Sequence, residues 1–344
     1  MSTSIRVMIL GTGRMGSGIA GLVLEKPGLE LAGAIGRRKD RAGMDLGRAI
    51  GLDRDLGLAL EGDLDAAIDR VQPDVAIQAT CSRLVEARGE ILALLGRGIP
   101  VISIAEEMAH PASAAPGIAA EIDDLARRRG VAVVGTGINP GFVLDLLIIA
   151  MSGVCSEIES INARRVNDLS PYGRTVLSAQ GVGLTPEAFE ASVAEGRVVG
   201  HIGFVQSIHM IAEAVGWQIE RIEETRRPII AQRHCETPVM SVSPGQVAGC
   251  LHSARAFRGG KPVIELVHPQ QIRPDLHGVE TGDEIIINGT PPVHLTGRPE
   301  IPGGQGTTAL AVNMIPRVLS APPGLHTMAD LPVPAAMLGG FCSG

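Results

Sequence analysis

Aromatic side chains make up only 2% of this 344-residue chain, with one Trp and one Tyr, so core volume has to come from Ala, Val, Ile, Leu and Met. No cluster of basic and aromatic residues offers a base-stacking surface, and the formal net charge of −7 argues against a general nucleic-acid binder. Lysine is almost missing: Lys26, Lys39 and Lys261 are the only three, and none sits in a motif suited to Schiff-base chemistry. The five cysteines, Cys81, Cys155, Cys235, Cys250 and Cys342, are odd in number and lack C-x-x-C spacing. They read as reduced, structural thiols of a cytoplasmic protein. His234-Cys235 and Cys250-x-His252 each lack a second pair at zinc-site spacing, so no metal is expected. Long hydrophobic runs are missing too. The N-terminus Met1-Ser2-Thr3-Ser4 enters a strand at once, and the most apolar helix, Phe142 to Met151, is too short for a bilayer and carries Asp145, so neither a secretion signal nor a membrane span is expected.

What is present is a strand running into a glycine turn. Ile5 to Leu10 is apolar and leads into Gly11-Thr12-Gly13-Arg14-Met15-Gly16, the G-x-G-x-x-G spacing of a dinucleotide-binding unit. Gly11 allows the tight turn, Gly13 lets backbone amides approach a pyrophosphate, and Gly16 lets the next helix pack close to the sheet. The positive end of that helix faces the cofactor's charge, with Thr12, Arg14 and Met15 completing the turn. Met15 to Glu25 reads as the helix, Pro27-Gly28 ends it, and Leu29 to Ile35 reads as a second strand closing on Gly36-Arg37-Arg38-Lys39. An acidic residue at that end would accept from the ribose of NAD, whereas arginines suit the 2′-phosphate of NADP, so NADP(H) is preferred and NAD(H) remains possible.

Strand and helix alternate onward. Val75 to Ala79 ends at Thr80-Cys81-Ser82, where Thr80 and Ser82 are placed to touch cofactor ribose or phosphate, or to cap the helix Leu84 to Arg97. Val101 to Ile104 ends at Ala105-Glu106-Glu107, two carboxylates where the nicotinamide is expected, able to take a proton from an amine or to orient ammonia. Ser113 to Arg129 reads as one long helix. Val131 to Val134 then enters a second glycine-rich turn, Gly135 to Gly141, with Asn139 at the cofactor and Pro140 suited to the first turn of a helix. Beyond it the rhythm changes to longer strands with hairpin signals, among them Asn288-Gly289 between Glu284 to Ile287 and Val293 to Leu295. The fold class is α/β: a Rossmann domain over 1-138, an α+β domain of mixed or antiparallel sheet over 139-304, and a C-terminal helix and tail, 305-344, packing back on the first.

Several of these blocks together resemble the 2,4-diaminopentanoate dehydrogenases and native amine dehydrogenases. They are Gly11-Thr12-Gly13, Glu106-Glu107, Gly137-Ile138-Asn139-Pro140-Gly141-Phe142-Val143-Leu144-Asp145, Gly200-His201-Ile202-Gly203 and Asn313-Met314-Ile315-Pro316-Arg317. The similarity runs from the first strand to Leu331-Pro332-Val333-Pro334. It implies a fold like dihydrodipicolinate reductase and NAD(P)-dependent, reversible oxidative deamination of an amine or diamino acid to a ketone and ammonia, in a homodimer. It also implies that Glu106 or Glu107 handles the amine, Glu106 being nearer the strand end, and that Arg165, Asn167, His201 and Thr307 are pocket residues, with the arginine suited to a substrate carboxylate. Pocket size would depend on Phe142, Leu177, Met210 and Trp217. Two rivals are a dihydrodipicolinate reductase, whose His-His pair followed by lysine and Ser-Gly-Thr is missing here, and a non-catalytic NADP sensor on the same scaffold.

Overall fold

The structure is a computed structural model that describes Ser4 to Phe341; Cys342 and the first three residues lie outside the described residues. The chain divides into two units, one comprising everything up to Phe142 together with Gly303 onward, the other Val143 to Pro302.

The first unit is built on β1 (Ile5–Leu10), β2 (Leu29–Ile35), β3 (Val75–Gln78), β4 (Val101–Ser103), β5 (Ala132–Gly135) and β14 (Gly324–His326). Nearly every residue of β1, β3, β4 and β5 is buried, as a parallel sheet covered on both faces requires. All neighbours are parallel, in the order β14-β5-β4-β3-β1-β2. The order in which successive strands are added therefore reverses between β1 and β3, the switch point at which open α/β sheets take ligands. The helix Leu84–Gly96 covers this sheet with Leu84, Ala87, Ile91, Leu94 and Leu95, all fully buried.

Prolines redraw two helices. The single helix expected over Ser113 to Arg129 is two, Pro111–Ala114 and Pro116–Arg129, because Pro116 forces Ala115 to an extended backbone (φ −153°, ψ 87°). Pro140 does not open a helix: Gly141 takes φ +120°, and the helix Leu146–Ser152 starts later, where the Asp145 carboxylate accepts from the Leu146 N–H at 2.7 Å.

The second unit is an α+β body. Its main sheet contains β6 (Glu157–Asp168), β7 (Arg221–Ile230), β10 (Val247–Arg258), β11 (Lys261–Gln271), β12 (Gly282–Thr290) and β13 (Val293–Gly297), beside a small ribbon of β8 (Cys235–Glu236) and β9 (Ser241–Val242). The order is β13-β12-β6-β11-β10-β7, with β6 and β11 parallel and every other pair antiparallel. Asn288-Gly289 is not the hairpin turn it promises. Both residues lie in β12, where the register with β6 slips, and a Cβ on Gly289 would sit 2.2 Å from the Glu157 carbonyl oxygen. The glycine serves that close strand contact, and Pro291-Pro292 supplies the corner. Cys81, Cys155, Cys235 and Cys250 are unbridged. No described helix is long and apolar enough to cross a membrane.

Candidate active site

In the first unit, β1 runs into a turn that only glycine can build. Gly11 has φ +100°, and a Cβ there would lie 2.6 Å from the Ala79 carbonyl oxygen; a Cβ on Gly16 would lie 1.9 Å from the Gly11 carbonyl oxygen. Gly13 meets nothing within 4 Å and caps the helix Arg14–Glu25 without a side-chain acceptor, and the first turn carries no acid. The helix therefore presents uncapped N–H groups at an open glycine, which fits the pyrophosphate of a dinucleotide.

At the end of β2, Arg38 is exposed, but Arg37 is already engaged, donating to Glu90 and to the Thr80 hydroxyl. Thr80 also accepts from Gln78 Nε2 at 2.6 Å, and the other end of the Gln78 amide accepts from Ser103 Oγ at 2.6 Å. Neither Thr80 nor Ser82 caps the helix Leu84–Gly96, whose first residue beyond the strand turn, Arg83, offers no side-chain cap. Glu107 does that work from β4's side: its Oε2 accepts from the Leu84 N–H at 2.7 Å, its own N–H donates to the Ser82 carbonyl at 3.2 Å, and Arg83 lies 3.5 Å from Oε1.

Glu106 and Glu107 both sit in the 3-10 turn Glu106–Ala109. Ser103 Oγ steadies its entrance by accepting from the Ala105 N–H at 3.2 Å. The turn lies against β5 at Gly135, where a Cβ would fall 1.8 Å from the Met108 carbonyl oxygen. Glu106 is spared the capping task. Burial raises its carboxyl above the usual range and the neighbouring Glu107 charge adds to this, against hydrogen bonds from its own backbone and Ser82 that favour the carboxylate. Such a group can hold a proton nearer neutrality than an ordinary glutamate.

The second glycine turn is tied down within the same unit. The Thr136 N–H donates to the Ser103 carbonyl at 2.8 Å, and the Thr307 hydroxyl accepts from the Ile138 N–H at 3.1 Å. Thr307, expected at the substrate, thus fixes the turn that carries Asn139 and the half-buried Phe142. The Thr136 hydroxyl and Asn313 Oδ1 are buried without a hydrogen-bond partner.

In the second unit, register gathers a polar group on one face of the sheet. His252 of β10 pairs with His268 of β11, Gln270 of β11 with Asn167 of β6, and Asp283 of β12 with Arg165 of β6. Arg165, 2% exposed, is bound by Asp283 Oδ1 at 2.5 Å and by the Ile301 carbonyl. Its Nη1 and Nη2 are thus held by partners within the second unit. Asn167 Oδ1 lies 3.0 Å from His268 Nε2. Gly200, at φ +67°, brings His201 onto this face: the His201 N–H donates to His252 Nδ1 at 3.0 Å, and a Cβ on Gly200 would be 2.9 Å from that nitrogen. His252 must then carry its proton on Nε2, which lies 3.2 Å from Glu224 Oε1. The His201 ring meets Phe204 and His268 edge-on at 4.8 and 5.0 Å, while its Nε2 is buried with no partner. Burial first, then the His252 and Arg165 charges, push its pKa down to about 3. His252, His268, Glu224 and Asp283 were not marked by the sequence as site residues. Cys250-x-His252 stood out only as half of a metal pair; among the described residues, no three His, Cys, Asp or Glu side chains converge on a metal position. Leu177 is buried in a separate apolar cluster with Leu169, Val182 and Cys235.

Residues 142–343 match the family model of the 2,4-diaminopentanoate dehydrogenase C-terminal domain, and residues 5–103 that of the dihydrodipicolinate reductase N-terminus. The chain is 44% identical to a 2,4-diaminopentanoate dehydrogenase of Acetoanaerobium sticklandii, over 98% of this chain and 96% of that one. It is 25% identical to an amine dehydrogenase of Streptomyces virginiae, over 97% and 98% respectively. The solved structure of an amine dehydrogenase from Mycobacterium smegmatis superposes with a TM-score of 0.85 at 28% identity, covering 97% of each chain. A family model spanning more than half the chain and a relative similar over nearly all of it agree: this chain belongs to the 2,4-diaminopentanoate dehydrogenase family and is an oxidoreductase.

Proposed function

We propose that this enzyme is an NAD(P)-dependent amine dehydrogenase that deaminates an amine or a diamino acid resembling 2,4-diaminopentanoate, and runs the reaction backward as reductive amination of a ketone. The observation that carries the assignment of the proton-moving group is the division of labour between adjacent glutamates: Glu107 caps a helix, and Glu106 is left with a raised carboxyl pKa. When bound, the nicotinamide supplies the hydride acceptor or donor. The uncapped Gly13 helix end holds the pyrophosphate, and Arg37 and Arg38 favour NADP(H) over NAD(H). As hydride leaves the amine-bearing carbon an iminium remains; Glu106 takes a proton from the attacking water, whose oxygen becomes the ketone oxygen as ammonia departs. His201 Nε2, neutral and unpartnered, is the position in the second unit for a polar group of the substrate. We further read the protein as a cytoplasmic homodimer acting on small molecules. The family, and second-unit strands able to pair sheet to sheet, support the dimer.

The test is to mix the protein with NADPH, ammonia and a panel of small ketones, and to run 2,4-diaminopentanoate with NADP+ in the other direction. Cofactor oxidation that requires ammonia supports the proposal. Oxidation with dihydrodipicolinate alone would make it a reductase, and cofactor binding without turnover on a broad panel would make it a sensor.

A further inference from the structure

Arg37 leaves the end of β2 and lands on Glu90, a residue of the helix Leu84–Gly96 that follows β3. Because β1 lies between β2 and β3, the Arg37 side chain crosses the carboxyl end of β1, where the glycine turn begins. Its Nε and Nη2 donate to Glu90 Oε1 at 3.0 and 2.9 Å, and Nη2 also reaches Thr80 Oγ1 at 3.0 Å. The second carboxylate oxygen accepts from the Thr80 hydroxyl and lies 3.3 Å from Gln78 Nε2. Glu90 is thus held by donors from three directions and is only 17% exposed, while Arg37 is 48% exposed. The carboxylate is the fixed member of the pair and the guanidinium the member that solvent, or a ligand, can reach.

Arginines at the end of β2 attract a 2′-phosphate, and an acid there accepts from a 2′-hydroxyl. Here an acid reaches the end of β2 from the helix that follows β3, so both preferences meet at one place. We propose that Glu90 is a specificity-determining residue for the cofactor ribose, acting through Arg37: it holds the guanidinium and its fixed negative charge opposes the 2′-phosphate of NADP(H), which favours the uncharged 2′-hydroxyl of NAD(H). It rests on the dinucleotide reading of this unit and moderates the NADP preference that Arg37 and Arg38 alone imply. A dianionic phosphate drawing on Arg37 must share it with a carboxylate that cannot swing away. Replacing Glu90 by an amide keeps the shape and removes that opposition.

The experiment is a fluorescence titration of the full-length protein with NADPH and with NADH, giving a Kd for each in wild type, Glu90→Gln, Arg37→Gln and the double variant. Glu90→Gln is expected to raise the ratio Kd(NADH)/Kd(NADPH) about tenfold, the scale of one partly screened charge interaction. The double variant should lose that gain, because the freed guanidinium is what the phosphate uses. An unchanged or lowered ratio in Glu90→Gln overturns the proposal. A wild type that favours NADH defeats the NADP preference while the shift in ratio still decides the role of Glu90. Failure of wild type to bind either nucleotide removes the dinucleotide reading and this inference with it.

Discussion

Neighbouring residues of one chemical type can be sorted by what the backbone around them needs. Glu107 satisfies the first N–H of a helix that brings no cap of its own, and Glu106, one position earlier, does not. A sequence shows two carboxylates at a strand end; it does not show that a helix start from elsewhere in the chain will claim one of them. The histidines carry the same lesson with a measurable consequence. In the folded protein His201 has a pKa of about 3, and His252 and His268 are also lowered, burial being the first cause in each. Once unfolded, each takes up a proton near its ordinary value of 6.5. Between those values the unfolded chain holds more protons, so stability rises with pH across the window and is lost as pH falls through it. Glu106 acts with the opposite sign: its proton is retained in the folded state, a contribution that fades as pH rises through its raised pKa. Urea unfolding should therefore give a lower midpoint at pH 5 than at pH 7, with each buried histidine contributing up to about 1.4 kcal/mol per pH unit. His201→Gln should flatten the dependence. A slope unchanged in that variant would contradict the buried, neutral state of His201.

At the scale of elements, the site depends on close approaches that only a missing side chain permits. The turn bearing Glu106 leans on β5 through Gly135, so Gly135→Ala must push the Met108 carbonyl away. That variant is expected to fold with a loss of about 1–3 kcal/mol and to turn over at least about tenfold more slowly, because displacing a positioned group costs rate even when it stays present. Denaturant midpoint and kcat measured on the same preparation check it; wild-type kcat alongside a lowered midpoint would show that the contact does not position Glu106. The glycine fingerprint of β1 was legible because its spacing encodes the turn directly. Asn288-Gly289 misled because the same dipeptide serves a turn or a tight strand contact, and only the partner strand decides. The break at Ala115 was written in Pro116, yet an apolar period running through it reads as one helix.

Over the whole molecule, β1 to β4 of the parallel sheet were readable because each apolar run is followed by its own helical crossover, whereas β14, short and set in the C-terminal tail, was not. The second unit was readable only as a change of rhythm. Its polar face forms where β6, β10, β11 and β12 align residues separated by as many as 118 positions, as with Arg165 and Asp283. No local pattern announces such a pairing, which is why the buried ion pair of Arg165 with Asp283 was not legible in the sequence. The bond from the Ile138 N–H to the Thr307 hydroxyl, 169 positions on, was equally hidden.

The central claim is that this fold deaminates an amine with Glu106, and not Glu107, moving the proton. Steady-state oxidation of 2,4-diaminopentanoate with NADP+ by Glu106→Gln and Glu107→Gln, each with its NADPH Kd, tests it most directly. Glu106→Gln is predicted to lower kcat by about two to four powers of ten with nucleotide binding intact. Glu107→Gln should keep most of its turnover and lose about 1 kcal/mol of stability with its helix cap. Full turnover in Glu106→Gln, or the larger loss in Glu107→Gln, would contradict the account.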